Sequence, residues 1–481
     1  MPPIHFAVQS YRHDVLPVSA QRLLNMYSEA QPQGAKSQVA VRGCPGITTF
    51  ATAGAGPVRG FHLLGGVLYA VSGTALYSIT NAAAPVVTNV GSAVTGSGIV
   101  SMDDNGTELV VVNGTNGNIY DTSAGFRLIT DADFNSANTV AYIDSRFMFD
   151  WASTAKFFIS DSLDGTAYDP LAFATKESKS NDVLAVVNVK QMAYILGDGP
   201  NSEVWAGNGA ANFPFQRLPG GTVDRGIIGA HAHTQEDQAL FIVGDDRMAY
   251  RVGGVQLQRI STHAIEGTWK GYTAVSDCFG LTYTYKGHKF VVFTFPSQEV
   301  ALGDTASWAY DISTQLWHER LSYDTNGTPL GRWRGNCAIE AYGKVLIGDA
   351  FSGKIGYLDP TVHTEFDDPM YASATSSPYH AGDRPLFHSD LTVDMETGVG
   401  IDSGQGSDPQ IMLDISDDGG QTFGSNQPWA AMGAQGAYKT WVRWHRLGRT
   451  ERGGTRVYRV TVSDPVKRTI VGAHSNMKAG L

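Results

Sequence analysis

Short apolar runs separated by turn residues dominate the hydrophobic pattern from about residue 58 to residue 360, and they predict β-strands joined in hairpins. The first unit is VRGFHLLGGVLYAVSGTALYSIT. In it Leu63 and Leu64 lead to Gly65-Gly66, then Leu68 to Val71, Gly73, and Leu76 to Ile79. The next, GIVSMDDNGTELVVVNGTNGNIYD, repeats the plan with Asn105-Gly106 and Asn116-Gly117, strong hairpin signals between apolar runs. Further units begin near Val140, Val183, Ile227, Phe279 and Asn336, and three of them carry a Gly-Asp pair: Gly197-Asp198, Gly244-Asp245 and Gly348-Asp349. Their spacing of about 40 to 55 residues is the span of a four-stranded propeller blade. The expected fold is therefore all-β, a β-propeller of six or seven blades with an additional C-terminal β module. The only helix-like apolar stripe is Val18 to Tyr27.

The rhythm divides the chain into an N-terminal segment (1–55), the propeller (56–360), an Asp-, Gly-, Ser- and Pro-rich linker or insertion (361–409), and a C-terminal β module or closing blade (410–481). Composition agrees with a turn-rich β protein. There are 55 glycines and 20 prolines, and only 17% of residues are charged, below the roughly 25% usual for soluble domains. Three scattered cysteines, Cys44, Cys278 and Cys337, cannot build a disulfide framework or a CxxC metal site. The start MPPIHFAVQSYRHD has neither the basic beginning nor the apolar run of a secretory signal, so synthesis in the cytosol is expected. No apolar run is long enough for a membrane span, and no stable membrane association is expected. The net charge of −11 opposes generic DNA binding, which needs Lys and Arg to neutralise phosphates.

Ser416-Asp417-Asp418-Gly419-Gly420-Gln421-Thr422-Phe423 looks like the Asp-box of sialidase-type propellers. Ser416, Asp418, Gly420 and Thr422 are read as a structural turn in which the carboxylate gathers backbone N–H groups. The box lies outside the acid and base pair a glycosidase needs. It occurs once, and Arg146, Arg225, Arg247 and Arg332 share no motif position that would make an arginine cluster. His231, His233 and His263, with Glu236 or Asp237, form a weak zinc pattern and are read as strand-surface or interface residues. Phosphate-loop, nucleophile-elbow and zinc-helix motifs are absent. No catalytic residue, metal or cofactor is assigned, and the chain is expected not to be an enzyme.

The stretch from Lys439 to Arg468 differs from the rest, with nine basic residues against Glu451 and Asp464. Trp441, Trp444, Arg443, Arg446, Arg449, Arg456 and Arg459 are read as a subunit-interface or assembly surface, since Arg and Trp anchor interfaces. A solvated strand face and a nucleic-acid surface are the competing readings.

Leu24-Asn25-Met26-Tyr27 and Arg42-Gly43-Cys44-Pro45-Gly46-Ile47 resemble the opening of the packaged-DNA stabilisation proteins, the tail hubs or nozzles of short-tailed bacteriophages. Further matching segments are Phe157 to Asp161, Ser202-Glu203-Val204-Trp205 with Pro214-Phe215, Ser416-Asp417-Asp418-Gly419, Trp444 to Gly448, and Ser463-Asp464-Pro465-Val466. The resemblance covers nearly the whole chain. It implies a virion tail protein assembled in the host cytoplasm as a homo-oligomer, a sixfold ring below the portal and its head-to-tail adaptor. Such a ring retains packaged genomic DNA, passes it on ejection, and contacts tail fibres or spikes and a tail needle or plug. The alternatives are a carbohydrate-active propeller, sialidase-like or depolymerase, and a non-catalytic host-surface adhesin.

Overall fold

A computed structural model describes residues 3–81, 84–425 and 427–480. Apart from the helix His263–Lys270, the regular elements among these residues are strands. Seven four-stranded antiparallel sheets follow one another around a ring. Blades 1 to 6 take their strands in chain order: Val58–Leu64 to Val86–Ser92, Ser101–Asp104 to Gly125–Leu128, Val140–Ile143 to Asp164–Thr175, Val183–Val189 to Phe215–Val223, His233–Glu236 to Gln256–Arg259, and Phe279–Tyr285 to Leu316–Glu319. Blade 7 has only three consecutive strands, Gly335–Ala341, Lys344–Asp349 and Lys354–Asp359. Its outer strand is Gly46–Thr52 from the N-terminal region, with Leu358 opposite Ile47. The innermost strand of blade 1 packs against those of blades 2 and 7, which closes the ring.

The apolar runs are nearly continuous because a blade is buried on both faces. In blade 5, Leu240 and Ile242 pack toward blade 4, while Phe241 and Val243 pack toward blade 6. Each neighbouring pair of blades shares one such core, seven in all. The tight turns are also shared. In six blades the first hairpin has both central residues at positive φ: Gly65-Gly66, Asp144-Ser145, Lys190-Gln191, Asp237-Gln238, Lys286-Gly287 and Tyr342-Gly343. This is the twist-matched hairpin geometry.

The C-terminal part is a sandwich of two sheets. One contains Ala372–Thr375, Val457–Val462, Gln410–Ser416 and Ala430–Ala431. The other contains Thr469–Ala479, Leu386–Met395 and Val442–His445. Leu391, Val393, Ile411, Leu413, Trp444, Tyr458 and Val460 fill the space between them. Residues 361–409 thus supply the long strand Leu386–Met395, which pairs with Thr469–Ala479 over most of its length.

The N-terminal residues join the two parts. Leu23–Leu24 lies between the outer strand of blade 6 and Ala372–Thr375, so the blade 6 sheet runs on into the sandwich as nine strands. Met26–Ala30 and Val39–Gly43 extend the second sandwich sheet through Val41 opposite Ile470. The helix-like stripe Val18 to Tyr27 is therefore strand. Asn25 at φ 52° turns the chain between two short strands, and the apolar residues are drawn to different cores, Leu23 and Met26 into the sandwich and Tyr27 between blades 6 and 7. The helix lies instead at His263–Lys270, where Thr262 caps the Ile265 N–H and Ile265 and Trp269 pack on the core between blades 5 and 6.

Candidate functional site

The basic C-terminal stretch separates into two sets of side chains. Arg443 reaches Asp390 at 2.7 Å, and Arg459 reaches Asp414 at 2.9 Å while stacking on Phe423. Arg456 is buried, donates two bonds to Asp417 at 2.6 and 2.8 Å, and donates a third to the Leu447 carbonyl. Trp444 is in the sandwich core and donates its indole N–H to the Pro428 carbonyl at 2.7 Å. These four residues hold the sandwich together, and the three arginine charges are neutralised within the chain. Trp441, Arg446 and Arg449 point outward, with Trp441 76% exposed. Trp429 and Tyr438 are also exposed, at 63% and 76%. These three aromatic rings lie in the segments that border the strands Ala430–Ala431 and Val442–His445.

The Asp-box-like turn is a tight hairpin. Asp418 accepts the Gln421 and Thr422 amides at 2.9 and 3.0 Å and the hydroxyls of Ser416 and Thr422 at 2.6 Å. Burial works to raise the Asp418 pKa, but these donors outweigh it and bring it down to about 2. Gly420 takes φ 99°, and a Cβ there would lie 2.5 Å from the Ala20 Cβ, so the hairpin rests directly on the N-terminal arm. Asp417, beside it, anchors the turn to Arg456.

The histidines of the zinc pattern are not brought together with one another and with Glu236 or Asp237; His263 lies instead 3.9 Å from Glu266. His231 and His233 line the opening on the propeller axis, about 440 Å³ in volume, with residues of blades 1, 2, 6 and 7. Burial lowers their pKa values to about 4 and about 3, so both are neutral. His263 is exposed on the helix, and Glu236 and Asp237 bind Lys289. A different group, His62, Asp103 and Asp104 on blades 1 and 2, is the one set among the described residues with ligand atoms within 4.8 Å of one another. The four scattered arginines are engaged separately: Arg146 with the Ser160 carbonyl, Arg225 with Asp246, Arg247 with the Lys270 and Tyr272 carbonyls, and Arg332 with Asn336.

Where blades 6 and 7 meet the sandwich, two motif segments do most of the joining. The Asn25 side chain donates to the carbonyls of Leu321 and Tyr371 at 2.7 and 2.8 Å and accepts the Leu321 N–H at 3.1 Å. Gly46 pairs with Val362, and any Cβ there would fall 2.4 Å from the Thr364 carbonyl oxygen. Behind them lies a buried ionic group. Arg320 binds Glu365 at 3.1 Å and lies over Trp333, while Arg334 bridges Asp349 and Asp368 at 3.1 and 2.8 Å. Asn25 and Gly46 fall within segments quoted in the sequence, but their partners lie about 300 residues away.

Residues 12–363 match the family model described as bacteriophage P22 Gp10, β-propeller, and residues 375–478 match that of bacteriophage P22 Gp10, β-sandwich. The chain belongs to the bacteriophage P22 Gp10 family. It is a structural phage tail protein. The two Gp10 matches divide at 364–374, beside the strand Ala372–Thr375 that starts the sandwich. No curated protein matches the sequence. Among solved structures, the extracellular domain of the putative one-component system BT4673 from B. thetaiotaomicron is similar at 10% identity and a TM-score of 0.42, over 82% of this chain and 47% of that one. This Gp10 family member therefore spans about half the length of that protein. The WD40 β-propeller domain of Doa1 gives 11% identity, 66% and 97% coverage and a TM-score of 0.41. The β-propeller domain of Myceliophteria thermophila Cps50 (Swd1) gives 8%, 65% and 98%, and 0.39.

Proposed function

We propose that the chain is the nozzle subunit of a short-tailed phage, a homo-hexamer docked below the portal and head-to-tail adaptor after packaging. The observation that carries this reading is the consecutive match of both Gp10 modules over nearly the whole chain. The axial opening of the propeller is small and lined by residues of five blades, so in this reading the genome passes between subunits and not through a blade ring. A net charge of −11 suits a conduit that must let DNA slide without adhering. In this reading the ring retains packaged DNA until ejection and offers sites to fibres or spikes and to a needle or plug. The exposed Trp441, Arg446 and Arg449 are its assembly anchors, because Trp441 is left in water and neither arginine is held by a carboxylate among the described residues, Arg449 lying only over the Phe387 ring.

Cryo-EM of virion tails tests the symmetry and the neighbours together; a ring of six copies at the adaptor is expected, and a monomeric fibre-tip position would refute the nozzle. A surface variant isolates the anchors. Trp441→Ser with Arg446→Glu and Arg449→Glu should change folding stability by no more than about 0.5 kcal/mol per site, yet reduce incorporation into tails at least tenfold by quantitative immunoblot of purified particles. Normal incorporation would remove the role given to these residues.

A further inference from the structure

The joint between blades 6 and 7 and the sandwich holds buried hydrogen-bond donors that have no acceptor among the described residues. Arg468 is 2% exposed, and its Nη2 donates to the carbonyls of Asp464 at 3.0 Å and His363 at 3.4 Å. Its Nε and Nη1 have no partner. Arg320 is fully buried and donates Nη2 to Glu365, and apart from the Cys44 thiol its Nε and Nη1 have no partner among the described residues. The Cys44 thiol contacts the Arg320 guanidinium as a weak hydrogen-bond partner and lies near that of Arg468, and it follows Gly43, whose N–H donates to the Arg468 carbonyl. The hydroxyls of Tyr27 and Tyr283 in the same core are also without partners.

The charges do not balance. Glu365 answers Arg320, and Asp349 with Asp368 answers Arg334, but among the described residues no carboxylate pairs with Arg468. Burial pushes the Cys44 thiol up, so it stays protonated and supplies no negative charge. Burial also lowers the Arg468 pKa to about 10, which still leaves the guanidinium charged at neutral pH. A buried charge without a counter-charge is strongly unfavourable. Water would not remove the imbalance. It brings two donors of its own, and the Glu365 oxygens are already occupied by Arg320, Trp333 and Ser322.

We propose that a small monovalent inorganic anion of the halide class binds inside this joint, accepting the free Nε–H and Nη1–H groups of Arg468 and Arg320. A halide only accepts hydrogen bonds, has no shape requirement, and supplies the missing charge. It ties the C-terminal strand that follows Arg468 to blade 6 through Arg320. The anion is thus a structural lock between the propeller and the sandwich, independent of which partners the assembled tail contacts.

Bromide exchange tests it directly. Crystals of the full chain grown in bromide should give an anomalous peak within hydrogen-bonding distance of Arg468 Nε or Nη1, and the absence of a peak there overturns the proposal. In solution, thermal unfolding at constant ionic strength should show the midpoint rising by roughly 2 °C or more along a saturating curve as gluconate is replaced by chloride. Arg468→Met, which removes the charge and its free donors, should lose that dependence. Equal midpoints in both salts for the native chain, or an undiminished chloride response in Arg468→Met, would sink the idea. If the variant does not fold, the anomalous map of the native chain decides the matter alone.

Discussion

The blade ring and the sandwich joint are both β-structure, yet they are stabilised in different ways. In blades 1 to 6 every strand pairs with a sequence neighbour, and the buried polar groups of the ring, such as Arg59, Asp150 and Glu203, bond to partners nearby in sequence. At the joint, strands from residues 23–52 pair with partners hundreds of residues away, and the interior holds Arg320, Arg334, Glu365, Asp349 and the Asn25 amide. A short-range hairpin needs little specification beyond alternation and a turn. A long-range docking between modules needs directional groups that reject other registers, and buried hydrogen-bonded polar residues provide that.

The comparison can be broken most sharply at Glu365. Glu365→Ala leaves Arg320 buried without its counter-charge and removes the acceptor of Trp333 and Ser322, so a loss of about 3–5 kcal/mol is expected in denaturant unfolding. A loss under 1 kcal/mol would mean that the joint tolerates an unpaired charge as a surface would. Asn25→Ala removes three hydrogen bonds from one buried side chain and should cost about 2–3 kcal/mol by the same measurement. Limited proteolysis should then cut between the sandwich and blade 6 sooner than within the ring.

On the ring side, the changes are local and small. Lys190 and Gln191 occupy a turn with both φ values positive, 56° and 62°, which suits Asn-Gly better. Replacing them by Asn-Gly should stabilise the chain by about 0.5 kcal/mol, and a destabilised product would show that these side chains have a contact role. A further effect, in the sandwich, concerns acid stability. Because the folded-state pKa of Asp418 is depressed to about 2, its contribution is complete above the unfolded value near 3.9 and is lost as pH falls through about 2. Asp418→Asn should flatten the stability curve between about pH 4 and pH 2, and an unchanged acid limb would assign that slope to other carboxylates.

The sequence is a good guide where contacts are local. Runs such as Ala239–Val243 and Val67–Ser72, bounded by turn residues, are enough to identify strands and the blade repeat. Asn105-Gly106 is visible as a turn, whereas Lys190-Gln191 and Asp237-Gln238 are hairpin turns with no glycine signature, because the ring imposes the conformation. The helix His263–Lys270 has no clear sequence signal, because its buried stripe rests mainly on Ile265 and Trp269 over just two turns. For the assembly surface, the composition of 439–468 marked the region but not the sorting. Arg443, Arg456 and Arg459 meet Asp390, Asp417 and Asp414, 53, 39 and 45 residues away, and nothing local distinguishes them from Arg446 and Arg449.

By itself the sequence determined the all-β class, the repeat and the strand-turn order, since these follow from alternation and turn chemistry within a few residues. Only the tertiary structure decided that there are seven blades, that Gly46–Thr52 completes the last of them, and that Leu23–Asn25 joins ring to sandwich. It also decided which arginines are buried and which remain free. The reason is that a strand's hydrogen-bonding edge does not encode its partner. Pairing across a separation of 296 residues, as from Asn25 to Leu321, is selected by the packing of the whole chain.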